Sequence, residues 1–148
     1  MREGRLLGWR LCRRPFADLT GDGARLFGGR WNSPGRPLLY MASTPALCVL
    51  EVRVHLDLPF SLIPDDYVLM TIDLSGLEIQ RVTDTEADPV SMGDRWLAER
   101  RTPLLEVPSV IIAESTNLLL NPAHPAAMQA KSSSVRDFSF DHRLWSAA

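Results

Sequence analysis

A chain of 148 residues with 45% apolar and 23% charged side chains is long enough to bury a core and too evenly mixed to be disordered or fibrous. Its formal net charge of −2 supplies no general attraction to nucleic acid, and no run reaches the roughly 18 consecutive apolar residues of a membrane span. Eleven prolines and nine glycines in short clusters predict many turns between short elements and argue against a helical bundle.

Leu6 to Cys12 reads as a first strand with Arg10 near its end, followed by a long loop from Arg13 to Gly29 that contains the turn signal TGDG. The apolar run PLLYM, Pro37 to Met41, is predicted as a short strand. Ser43 and Thr44 then offer capping oxygens and Pro45 suits the first helical position, so Ala46 to Leu56 is predicted helical. Asp66 to Leu74 is rich in β-formers and ends at Ser-Gly, as a strand would. Residues 78 to 93 show no clear period, and Asp94 to Arg101 is a second helix candidate. Val107 to Ala113 reads as a buried strand opened by Pro108, with another short strand at Leu118 to Leu120 and a last one at Val135 to Leu144. These elements imply one domain over residues 1–148, of α+β class, with a mixed or antiparallel β core and a few helices.

Two cysteines, Cys12 and Cys48, lie in apolar surroundings without CxxC spacing and read as free thiols. The N-terminal MREGRLLGWRLCRR has too short an apolar run and no small-residue cleavage site for a signal peptide, so a soluble cytoplasmic protein is expected. The three histidines, His55, His124 and His142, lack metal-ligand spacing, and no metal site is expected.

Two positions stand out chemically. The stretch GGRWNSPG sets Arg30 in the tightest, most glycine-rich turn of the chain. A guanidinium there suits either backbone carbonyls of the turn or a phosphate or carboxylate bound through its fork. Glu51 borders the apolar face of the predicted helix beside Leu47, Leu50 and Val54, so it must pair with Arg53 or His55, escape to solvent, or meet donors at a site. Arg10 carries the same ambiguity as Arg30. Tyr40 is a core or rim aromatic, or a flat surface for a planar ligand. Ser109 reads as a satisfied core hydroxyl, since no GxSxG surrounds it.

Taken in order, these residues resemble a known family. The run GGRWNSPGRPLLYMASTPALCVLEVRVHL, with VPSVIIAESTNLLLNPAHP and the closing FSFDHRLW, is similar to the RES domain family, the toxins of Xre–RES toxin–antitoxin systems. The likeness spans Gly8 to Trp145. It implies that Arg30 is the family arginine, Glu51 its glutamate and Ser109 its serine, with Ser115 the alternative. Arg10 and Tyr40 match further residues near the ligand, while Leu11 stands where several relatives have a tyrosine.

The resemblance further implies a fold similar to ADP-ribosyltransferase toxins and NAD as a substrate, not as a recycled cofactor. Arg30, Glu51 and Ser109 would be catalytic, and Arg10, Arg30, Tyr40 and Ser109 would bind NAD. The expected reaction breaks the nicotinamide–ribose bond through an oxocarbenium-like state, depleting NAD by phosphorolysis or hydrolysis. Transfer of ADP-ribose to a protein is one alternative, and a non-enzymatic nucleotide- or partner-binding module is another. A ribonuclease using His124 fits poorly with the absence of a basic stripe. The expected partner is an Xre-like helix-turn-helix antitoxin, with no direct contact to nucleic acid or membrane.

Overall fold

The computed structural model describes residues 4–83 and 88–146. In chain order the elements are β1 (Leu7–Arg13), α1 (Asp22–Phe27), β2 (Leu39–Ala42), α2 (Pro45–His55), β3 (Tyr67–Asp73), β4 (Ile79–Arg81), α3 (Pro89–Glu99), β5 (Leu104–Pro108), β6 (Thr116–Leu120) and β7 (Lys131–Asp137), with short 3-10 turns between them. The strands form one seven-stranded sheet in the order β4-β5-β6-β2-β1-β3-β7. Every neighbouring pair is antiparallel except β4 and β5, which run parallel because α3 makes the crossover between them. The fold is therefore α+β with a mixed sheet.

Strand alternation assigns the two faces. Val68, Met70 and Ile72 of β3 pack with Leu39 and Met41 of β2 and Leu118 and Leu120 of β6 on one side. On the other, Leu11, Ala42 and Leu69 meet Leu47 and Cys48 of α2. Further along that same second face, Leu105, Val107 and Leu119 meet Trp96 and Leu97 of α3, together with Trp31. Helices α2 and α3 thus cover the same face of the sheet over different strands, and the space between them carries the site.

Several sequence expectations are corrected. The TGDG turn does not sit in a bare loop: Thr20 Oγ1 accepts the Asp22 N–H and the chain enters α1 there, so the turn chemistry serves as a helix start. Helix α3 begins at Pro89, five residues before Asp94, with Asp88 as its cap accepting from Val90 N. Gly93 disguises it, since glycine in a helix interior reads as a breaker. The strand predicted at Val107 to Ala113 is β5, and it ends at Pro108. Beyond it, Ser109 Oγ takes the N–H groups of Ile111 and Ile112, which bends the chain out of the ladder. The last strand is Lys131–Asp137, earlier than Val135 to Leu144. The alternating residues after it form an edge-to-face aromatic cluster of Phe138, Phe140, Trp145 and Tyr67 instead.

Candidate active site

The arginine-bearing turn is held from both sides. Asn32, almost fully buried, donates its amide to the carbonyls of Ala24, Ser33 and Arg36 and accepts from Tyr40 Oη at 2.7 Å. Tyr40 Oη in turn accepts from Trp31 N at 2.9 Å, and a Cβ on Gly29 would fall 2.6 Å from that oxygen. Glycine is required there by this close approach. Burial pushes the Tyr40 phenol up to about 12, so it stays protonated and keeps donating to Asn32. From the other side, Asp94 of α3 accepts from Ser33 N at 2.9 Å and from Ser33 Oγ at 2.5 Å. The turn is thus hydrogen-bonded from both sides, while Arg30 itself is exposed. Its guanidinium makes no hydrogen bond or ion pair within the described residues, so the turn-arginine reading, in which it satisfies nearby carbonyls, does not hold.

Glu51 is placed by α2. Thr44 Oγ1 accepts the Leu47 N–H at 3.1 Å and Pro45 occupies the first turn, so the helix starts where its local chemistry dictates. Leu47 and Cys48 bury against the sheet, and Glu51, one turn on, faces the space beside them. Its partners are neither Arg53 nor His55. Ser109 Oγ donates to Glu51 Oε1 at 2.8 Å and Asn117 Nδ2 donates to the same oxygen at 3.0 Å. Arg53 lies over the Trp145 ring, 4.1 Å from its centre, and donates to the Leu144 carbonyl.

A cavity of 760 Å³ opens between these parts, lined by Arg30, Tyr40, Glu51, His55 and Asn117 among apolar walls that include Trp9, Leu11 and Val52. Ser109 is only 6% exposed and reaches the cavity through Glu51. Ser115 contributes its carbonyl to Ser109 N, and its side chain makes no bond to Glu51. Arg10 borders the cavity from β1, but alternation sends its side chain with Cys12 to the face of Met70. There the guanidinium donates to Phe16 O at 2.7 Å and contacts Cys12 Sγ at 2.8 Å. Both cysteines are free, and burial raises the Cys48 thiol to about 12, so it remains a neutral wall of the cavity.

Sequence reasoning passed over Asn117. Its place follows from the β5–β6 hairpin, whose register pairs Val107 with Asn117 while Ser109 N bonds Ser115 O. Ser109 and Asn117 are therefore diagonal neighbours on one face.

Residues 7–141 match the RES domain family. The chain belongs to that family. It is 40% identical over 139 residues to a Prs ADP-ribosylating toxin of Sphingobium sp. (strain YBL2), covering 86% of both chains. It is 37% identical over 145 residues to Toxin Res of Pseudomonas putida, covering 93% of this chain and 98% of that one. A shorter match, 35% over 74 residues, covers 47% of this chain and 40% of the NAD(+) phosphorylase MbcT of Mycobacterium tuberculosis. In the crystal structure of the M. tuberculosis MbcT-MbcA toxin–antitoxin complex, one chain shares this fold with a TM-score of 0.73 at 21% identity, covering 93% of this chain and 86% of that one.

Proposed function

We propose that this RES domain protein is a toxin that cleaves the bond between nicotinamide and ribose in NAD. The carrying observation is Glu51, its Oε1 gripped by Ser109 and Asn117, on the wall of a cavity that also holds the unpaired Arg30 and the ring of Tyr40. At 760 Å³ the cavity falls within the range of about 300–1,000 Å³ usual for small-molecule sites. The names of the relatives, an ADP-ribosylating toxin and an NAD(+) phosphorylase, support the same chemistry.

In this reading the C1′–N bond breaks and its electron pair passes to the ring nitrogen, so nicotinamide leaves neutral and needs no general acid. The ribose carries the positive charge, and the Glu51 carboxylate stabilises it at short range inside a partly apolar cavity. Arg30 takes an anionic part of NAD, with the fork geometry suited to a phosphate, and so fixes the reacting bond. The Tyr40 ring, half-buried against the cluster of Trp31 and Trp96, lines the cavity and offers a stacking surface there. Arg10 acts from the far side of β1, bracing the strand through Phe16 and Cys12. An oxygen nucleophile then bonds C1′ and loses its proton. Phosphate yields ADP-ribose 1″-phosphate, and water yields ADP-ribose.

A second reading, transfer of ADP-ribose to a protein, is favoured by the 40%-identical relative, an ADP-ribosylating toxin. In both readings the protein works in the cytoplasm, where NAD is available, and is held in check by an antitoxin of Xre-like, helix-turn-helix type. No helix among the described residues is long and apolar enough to cross a membrane.

The test is purified, antitoxin-free protein incubated with NAD, with and without phosphate and with cell extract, following nicotinamide and ADP-ribose products together. Phosphate-dependent ADP-ribose 1″-phosphate establishes a phosphorylase, and free ADP-ribose a glycohydrolase. Label kept on a protein band establishes a transferase. Folded protein that releases no nicotinamide under any of these conditions leaves a nucleotide- or partner-binding module.

A further inference from the structure

We propose that Asn117 is a positioning residue for Glu51: together with Ser109 it holds one carboxylate oxygen, Oε1, and leaves Oε2 as the atom that meets the ligand. The inference rests on the NAD-cleaving reading above and adds a residue to it.

The hydrogen-bond balance at Glu51 carries the argument. Ser109 Oγ already accepts the N–H groups of Ile111 at 3.1 Å and Ile112 at 3.2 Å, so its single hydrogen is free for one acceptor and goes to Glu51 Oε1. Asn117 Nδ2 has only hydrogens to offer, and it sends one to the same oxygen. Oε1 is thus an acceptor twice over, its lone pairs taken by two donors. No donor among the described residues reaches Oε2. The carboxylate is fixed in one orientation by groups from both limbs of the β5–β6 hairpin, and the charge is delivered by the remaining oxygen. Ser109 is sealed beneath Glu51, whereas Asn117 also lines the cavity, so only Asn117 sees both the carboxylate and the ligand.

Charge logic makes the role testable. Asn117→Asp exchanges a donor beside Oε1 for a second carboxylate. When both are ionised they repel and Glu51 is displaced; as the pH falls the pair shares one proton, and a donor faces Oε1 again. The other titratable or charged groups lining the cavity around this point are Arg30 from the turn, Tyr40 from β2, and Cys48 and His55 from α2, with the Arg10 guanidinium on the opposite face of β1. All are common to wild type and variant, so a change in profile belongs to position 117.

The experiment measures nicotinamide release from NAD between pH 5 and pH 8 for wild type, Asn117→Asp and Asn117→Ala, with folding checked by circular dichroism at each pH. Asn117→Asp should lower kcat at pH 8 by about 100-fold, with a smaller change in KM, and recover about tenfold against wild type towards pH 5. Asn117→Ala should lose about tenfold at every pH, with a profile shaped like wild type. Equal losses of Asn117→Asp at all pH values, or either variant within about twofold of wild type, overturn the proposal. Should Asn117→Asp not fold at pH 8, the alanine variant decides by the same twofold criterion.

A second readout separates this proposal from the NAD reading. The carboxyl carbon signal of Glu51, followed by NMR, should respond to pH differently in Asn117→Asp, where two adjacent carboxyls are coupled, than in the wild type, with or without turnover. Identical curves in the two proteins defeat the clamp even in an active enzyme. Coupled curves in a protein that leaves NAD intact uphold the clamp and defeat the NAD reading.

Discussion

The backbone of Gly93 in α3 rests directly on the carbonyl oxygen of Trp31, in the space that a Cβ would occupy. A glycine in mid-helix weakens the helix by roughly 0.5–1 kcal/mol, and here it lets α3 dock on the turn that carries Arg30. Gly93→Ala should therefore destabilise the protein despite its better helix propensity, by on the order of 1–3 kcal/mol from overpacking. Thermal unfolding checks the sign, and an unchanged or higher Tm would refute the contact. In turnover the variant should raise KM for NAD more than it lowers kcat, since the turn and Arg30 shift together.

Asp94 is the polar half of the same joint. Asp94→Ala leaves the Ser33 N–H and hydroxyl without their acceptor, which costs about 1–3 kcal/mol for groups that stay shielded from water. Asp94→Asn, which keeps an acceptor oxygen, should recover much of that loss. Denaturant unfolding of the two variants compares them directly, and equal destabilisation by both would mean that the charge, not the hydrogen bonding, matters.

Glu51→Gln removes the charge while keeping the side chain's shape. It should cut nicotinamide release by about 100-fold or more, as expected when charge stabilisation in the transition state is lost. Ser109→Ala should fall short of that, because Asn117 still holds Oε1. Arg30→Ala should appear chiefly in KM for NAD. A Ser109 variant more impaired than Glu51→Gln would give the serine a direct part in the reaction.

The alkaline limit of stability should report two buried acids. Tyr40 is raised from 10.0 to about 12 and the Cys48 thiol from 9.0 to about 12, both first by desolvation. In each case the folded state holds its proton after the unfolded chain has lost it. The stabilisation is therefore complete below the unfolded values and declines as pH rises through the window up to about 12. Unfolding free energy measured from pH 8 upward should fall in this range, with a shallower slope in Tyr40→Phe and in Cys48→Ala. Slopes equal to wild type in both variants would rule these groups out as the cause. At neutral pH Tyr40→Phe should also cost about 1–3 kcal/mol, since the Trp31 N–H and Asn32 Oδ1 both lose their partner.

Much of this protein was legible in its sequence where signals are local. Thr44, Pro45 and the apolar stripe after them define α2 within a single turn of chain, and the β-formers from Tyr67 to Asp73 define β3. Arg30 and Glu51 stood out as charges where local rules would not put them, and the fold brings both to the wall of one cavity. Only the second half of α3 was legible, as the helix predicted from Asp94; its start at Pro89 was not, because Gly93 disfavours a helix until Trp31 is known to lie against it. Nor was the position of Asn117 beside Glu51, which depends on the register of a hairpin and on a carboxylate 66 residues away in sequence. Which atoms meet across such a distance is decided by packing and strand pairing, and only the folded chain brings Ser109, Asn117 and Glu51 to one oxygen.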